Sequence, residues 1–160
     1  MTEDQKRLKQ TKYSFGTTSA IITNLGLITG LDTLTSPKMS IISSILVIAL
    51  VDNIADSLGI HVYQESECIT EKEVWFSTMT NFLARVLVSA TFILLVALLP
   101  IKIAVLSSVG WGLFLLAVLS YTIAKNREIS PYRAMIEHIS IAVFVVIGSH
   151  FLGEFIISKF

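Results

Sequence analysis

The sequence predicts an all-α integral membrane protein of five transmembrane helices, and three observations predict it. The 160 residues are 53% hydrophobic and only 15% charged, and the mean hydropathy is +0.73, more apolar character than a water-soluble domain of this length can bury. The apolar residues fall in five runs, each near the roughly 20 residues needed to cross about 30 Å of hydrocarbon. The breaks between runs carry turn chemistry: Thr35, Ser36 and Pro37, then Pro100, then Ser130 and Pro131.

Taken in order, the spans are Ser14 to Leu34, Ile41 to Ile60, Phe82 to Pro100, Ile103 to Ala124 and Met135 to Ile157. Helices are expected because every backbone polar group in lipid must be satisfied within its own segment. The first span is the least hydrophobic and carries Thr17, Thr18, Ser19, Thr23, Asn24 and Thr29, so it is not expected to face lipid all round. Ser19, Thr23, Gly26 and Gly30 recur at helical spacing and include a GxxxG. Such a stripe lets another helix approach closely, either within the chain or across a two-fold dimer seam. The second span holds Asp52, Asn53 and Asp56 past its midpoint, whereas spans three to five read mainly as apolar scaffold. Only the break from His61 to Asn81 is long enough to hold structure of its own. The first apolar stretch is long and lacks a small-residue cleavage site, so a removable signal peptide is not expected. No repeat, low-complexity tract or second domain is indicated, and the chain reads as one transmembrane domain.

Orientation follows from Lys and Arg, which favour cytoplasmic loops. A cytosolic N-terminus puts Lys6, Arg7, Lys9, Lys12, Lys72, Arg85, Lys125, Arg127 and Arg133 on the inner side, and Lys38, Lys102 and Lys159 on the outer. Nine against three predicts a cytosolic N-terminus, a non-cytosolic C-terminus and a cytosolic acidic segment over 61–81.

Carboxylates inside a span are expensive and mark functional suspects. Asp52 and Asp56 are four apart, on one helix face about 5–6 Å apart at Cβ. Such a pair can share a proton or jointly hold a divalent cation. The competing account pairs Asp56 with Arg85 of the third span or with backbone donors, as a packing lock. In the acidic segment, Glu65, Glu67, Glu71 and Glu73 surround Cys68 with His61 just before. They could collect metal at the cytosolic surface, or form an ordinary solvated face. His61 and Cys68 lack structural-zinc spacing, and a single cysteine permits no internal disulfide. His150 and Glu154 near one end of the fifth span, and Glu137 and His138 near the other, are expected to be interface anchors. None of the four methionines is in mid-membrane, which gives a thioether path for copper(I) little support. Twelve basic against twelve acidic residues give no electrostatic basis for nucleic-acid binding. No HExxH, GxSxG, P-loop or GxGxxG spacing supports an enzyme, and no resident cofactor is expected.

SAIITNLGLITGL (Ser19 to Leu31) followed by ILVIALVDNIADSLGIHVYQESE (Ile45 to Glu67) resembles the first two helices of the vacuolar iron transporter family. That family typically reads DGIITTFGVVAGL and LANLIADALSMAAGEYLS there, with an acidic segment following. LFLLAVLSYTIAKNR (Leu113 to Arg127) and SHFLGEFI (Ser149 to Ile156) are similar to its fourth and fifth helices, so the likeness covers nearly the whole chain. The resemblance implies a homodimer exporting iron(II) or manganese(II) from the cytosol in exchange for protons, with the path between the two first helices. Asp56 matches the family's Asp in the IAD motif, and Asp52 falls where members carry Asn or an acid. The family's first-helix Asp, second-helix Met and following Glu fall at Ser19, Ile60 and Gln64. The long cytosolic metal-gathering domain is reduced to ESECITEKE.

Two functions are therefore expected to compete, metal transport first, with transport of a different solute third because an acidic pair does not name its cation. One is a divalent metal transporter using Asp52, Asn53 and Asp56, with Ser19, Thr23 and Asn24 lining the path opposite. The other is a non-transporting assembly or sensing protein of the same fold. The direction in which the acids point separates them: toward the small stripe of the first helix for transport, toward Arg85 for the alternative.

Overall fold

The computed structural model describes the backbone of residues 3–67, 69–126 and 129–159, and the side chains of 14–67, 69–125 and 129–159. Cys68 and Arg127 lie outside the described residues, as do the side chains of Lys6, Arg7, Lys9 and Lys12. Five helices follow one another: α1 (Glu3–Leu31), α2 (Pro37–Ser66), α3 (Glu71–Leu98), α4 (Ile101–Asn126) and α5 (Pro131–Lys159). No strand occurs among the described residues.

The helices are longer than their apolar runs. At 1.5 Å per residue, 30-residue α2 is about 45 Å long, well beyond the hydrocarbon, because a helix persists through polar turns at both ends. Proline sets several boundaries. Pro37 and Pro131 open α2 and α5, where the missing N–H costs nothing. Leu99 stands extended before Pro100, at φ −100° and ψ 153°, and ends α3. The expected 61–81 segment does not exist as a separate unit. Residues 61–66 continue α2, 71–81 begin α3, and only 67–70 connect them.

Among the described residues four helices, α2 to α5, are long and apolar enough to cross a membrane, and the described part of α1 falls short. Packing explains the exception. α1 contacts all four other helices, while α2 adjoins α3, α3 adjoins α4, and α4 adjoins α5 around it. Ala20, Ile21, Asn24, Leu25, Ile28 and Thr29 of α1 are buried, and Phe15 is its only exposed large hydrophobic among the described side chains. A central helix meets protein on most sides, so it tolerates hydroxyls and an amide. The surrounding helices show the reverse, with outward Leu50, Leu87, Leu106 and Phe144 all exposed, an apolar exterior that matches helices apolar enough to cross a membrane.

Ile21, Leu25 and Ile28 of α1 pack with Ile41 and Ile45 of α2, Phe92 and Val96 of α3, Ala104 and Leu116 of α4, and Ala142 of α5. Close approach is set by glycines. A Cβ on Gly112 would lie 2.7 Å from Leu25 Cδ2, and one on Gly153 would overlap the Gly30 carbonyl oxygen. Gly26 and Gly30 face Ser149 of α5. Gly26 and Gly30, the glycine half of the small stripe, are therefore packed on α5.

The ends are tied by polar contacts. At the end holding the α1–α2 and α3–α4 connections, Lys38 Nζ donates to the Leu99 carbonyl at 3.2 Å. There His150 lies between Asp32, 3.3 Å from Nδ1, and Glu154, 3.6 Å from Nε2. At the opposite end His138 Nδ1 contacts Ser120 Oγ at 2.7 Å. His138 thus meets α4, and His150 meets the turn just past α1 as well as Glu154 of its own helix.

Candidate functional site

The candidate site grows from one periodicity in α3. Ser77, Asn81, Arg85 and Ser89 recur every four residues and are all buried, so one face of this apolar helix is a polar ladder. Each rung meets a polar partner on α2 or α1. Gln64 Nε2 donates to Ser77 Oγ at 2.8 Å, and Asn81 Nδ2 donates to Ser57 Oγ at 3.1 Å. Asn24 Nδ2 donates to Ser89 Oγ at 3.0 Å, and to the Ala20 carbonyl at 2.7 Å.

Arg85 is the central rung. Its Nε donates to Asn53 Oδ1 at 2.6 Å, its Nη2 to Asp52 Oδ2 at 2.5 Å, and its Nη1 to Asp56 Oδ2. Ser19 Oγ of α1 donates to the same Asp56 oxygen at 3.3 Å. Three α2 side chains within two helical turns thus grip one guanidinium, whose planar fork presents donors in fixed directions. The Arg85 side chain is 1% exposed, against 42% for Asp52 and 32% for Asp56. A buried cation in a membrane requires such pairing. Two carboxylates against one guanidinium leave one formal negative charge over.

Backbone fit allows this depth. Gly16 of α1 packs on Asn81 and Arg85, and a Cβ there would overlap Asn81 Oδ1 and sit 3.0 Å from Arg85 Cγ. Glycine lets α1 lie against the ladder.

No family model, no curated protein and no solved structure matches the chain. The site is therefore argued from its own geometry.

The expected transport path does not assemble as a facing set. Asp52 and Asp56 converge on Arg85, and Asn53 turns to α3 with them. Of the α1 residues expected opposite, only Ser19 touches an acid. Asn24 turns away to Ser89, and Thr23 is half-buried on α1 without reaching the carboxylates. The acidic residues near the α2–α3 connection do not gather either. Glu67 follows α2 and Glu71 opens α3, so they share no helix face. Glu73 accepts from Thr70 Oγ1 at 3.1 Å, and Glu65 lies 3.4 Å from His61 Nε2. Among the described residues no group of three or more His, Cys, Asp or Glu is placed to hold a metal ion.

His61 belongs to this end of the ladder. Thr78 Oγ1 donates its proton to the Val74 carbonyl at 2.9 Å, so it accepts from His61 Nδ1 at 3.0 Å. The ring stands edge-on to Trp75, with centroids 4.7 Å apart.

The apolar-scaffold description of the third span is thus corrected: α3 supplies four buried polar rungs, the cation Arg85 among them. The signal was present in the sequence as Ser77, Asn81, Arg85 and Ser89 at a four-residue repeat, hidden because the intervening residues keep the mean hydropathy high.

Proposed function

We propose that this chain is a five-span membrane protein acting as a non-transporting assembly or sensing component, with a fold like that of vacuolar iron transporters. The reading places the N-terminus in the cytosol, on the strength of the lysines and arginines. α1 counts as the fifth span because its neighbours shield it from lipid.

The observation that carries the proposal is the Arg85 clamp. A divalent cation entering between Asp52 and Asp56 would meet a guanidinium already bonded to both. Like charges at that separation repel strongly in a low dielectric. The substitutions at Ser19, Ile60 and Gln64 point the same way, since Gln64 bonds Ser77 as part of the ladder.

A second reading is favoured by one observation. The cluster carries a surplus negative charge, and Asp52 and Asp56 keep 42% and 32% of their side-chain surface accessible. On that reading the chain is a homodimer exporting iron(II) or manganese(II) by proton exchange, with Asp52 and Asp56 as metal or proton carriers. The dimer would use the half-buried strip of Ser19, Ile22, Thr23 and Leu27 left open between α2 and α5. That strip adjoins a groove of about 350 Å³ lined by Leu27, Leu31, Ser43, Ser44, Val47 and Ile48.

Purified protein in liposomes loaded with a metal-sensitive dye, under an imposed pH gradient, separates the two. We expect iron(II) and manganese(II) entry no faster than in protein-free liposomes. Flux that depends on the gradient and is lost in Asp52→Asn would overturn the proposal in favour of export.

A further inference from the structure

Five buried side-chain atoms among the described residues have no protein partner, and three of them belong to the α2–α3 seam: Gln64 Oε1, Asn81 Oδ1 and Asn53 Nδ2. Their residues are 8%, 0% and 2% exposed. They mark three successive levels of the ladder, beside Ser77, Ser57 and Arg85 respectively. Buried amide atoms left unpaired forfeit their hydration without compensation, so three in one seam point to a ligand that satisfies them.

Their chemistry selects the ligand. Asn53 Nδ2 is a donor, fixed as such because Asn53 Oδ1 accepts from Arg85 Nε. Asn81 Oδ1 and Gln64 Oε1 are acceptors. A metal cation suits neither the donor nor the adjacent guanidinium, and an anion suits neither acceptor. Water suits all three, donating to the amide oxygens and accepting from the amide nitrogen.

The two ends of the seam differ. Toward the α2–α3 connection the α3 face ends on buried Val74, and the polar way out runs past Gln64 itself, 8% exposed, with His61 and Thr78 at the neighbouring level and Glu65 exposed at the edge. Beyond Ser89 the same α3 face continues as Phe92 and Val96, both 0% exposed, packed with Ile41 and Ile45. That stretch is apolar and close-packed.

We propose that the α2–α3 seam holds a column of internal waters, open to solvent at the Gln64 end and stopped by Phe92 and Val96. Such a column brings protons to the Arg85 cluster from one side of the membrane, while the guanidinium excludes metal cations from it. The ligand is water, and the proposal holds whether or not the chain carries metal elsewhere.

The test uses thiol hydrogen exchange, with a probe hardly larger than serine. In a Cys68→Ser background, Ser77→Cys, Ser57→Cys, Ser89→Cys and Val96→Cys each place one S–H in the protein. Its infrared stretch falls where little else absorbs, and its loss in heavy water reports water at that site. In lipid nanodiscs the three seam thiols should exchange at least about tenfold faster than Val96→Cys, which must wait for local opening. Adding Asn81→Leu should slow exchange at Ser89→Cys and leave Ser77→Cys unchanged. If Asn81→Leu does not fold, Ser57→Val blocks the same level. Seam thiols as slow as Val96→Cys would show the seam to be dry, and a block that slows Ser77→Cys but spares Ser89→Cys would place the opening at the other end. Either result overturns the proposal.

Discussion

Replacing the two aspartates singly and together should give strongly non-additive stabilities, because the cluster holds two carboxylates and one guanidinium. Asp52→Asn or Asp56→Asn removes the surplus negative charge and leaves a one-to-one ion pair. The amide still offers Arg85 an acceptor oxygen. Each single change should therefore fall within about 1 kcal/mol of wild type, as expected when no cavity forms and no charge is left unpaired. The double variant leaves a cation that is 1% exposed with only neutral acceptors. Removing the partners of a buried charge costs about 3–5 kcal/mol, and the partial exposure of both acids argues for the lower end of that range. A coupling of roughly 2 kcal/mol between the sites follows. Thermal unfolding of detergent-solubilised protein, followed by tryptophan fluorescence, reads it. At about 2–4 °C per kcal/mol for a chain of this size, the singles should shift Tm by no more than about 4 °C and the double by about 6–12 °C. Adding Arg85→Met to the double should restore part of the loss, since it removes the stranded charge. If the double variant equals the sum of two mild singles, Arg85 does not depend on these acids and the clamp is wrong.

Three further outcomes follow from the packing. Gly153→Ala drives a Cβ into the Gly30 carbonyl, which cannot rotate away, and should lower stability by about 1–3 kcal/mol, whereas Gly148→Ala, with nothing within 4 Å, should be silent. The two thermal midpoints compared under identical conditions check this. Asn24→Leu deletes the α1–α3 bond to Ser89 and leaves a buried hydroxyl with one partner fewer, so about 1–3 kcal/mol should be lost, and Asn24→Leu with Ser89→Ala should be less destabilised than Asn24→Leu alone. His150→Gln should cost under about 1 kcal/mol by the same measurement, because that side chain and Glu154 are half-exposed and exposed pairs contribute little.

The helical architecture was legible in the sequence because it follows from composition and run length, which are local. Five apolar runs, four of which form helices long and apolar enough to span, proline at the breaks, and the anomalous polarity of α1 needed no neighbours to be seen. Boundaries were less legible: α2 and α3 extend through the polar stretch over 61–81, since hydropathy marks where a chain is apolar and not where helical hydrogen bonding stops. The acid pair was equally visible as two carboxylates on one face. Its partner was not decided, because Asp52 and Asp56 could be drawn toward Ser19 and Thr23 or toward Arg85 with the same sequence.

Tertiary packing made that choice. Helix rotation about its axis determines which neighbour a side chain meets, and it is set by the whole set of close contacts: Gly16 against Asn81, Gly112 against Leu25, Gly153 against Gly30. With those in place α2 turns Asp52, Asn53 and Asp56 to α3, and Gly26 and Gly30 are taken up by α5. By itself the sequence determined that this chain forms helices long and apolar enough to cross a membrane and sets charged residues within them. Only the packed structure decided that the charge is held by Arg85, because neutralising a buried carboxylate requires a partner from another helix, and sequence spacing does not say which helix that is.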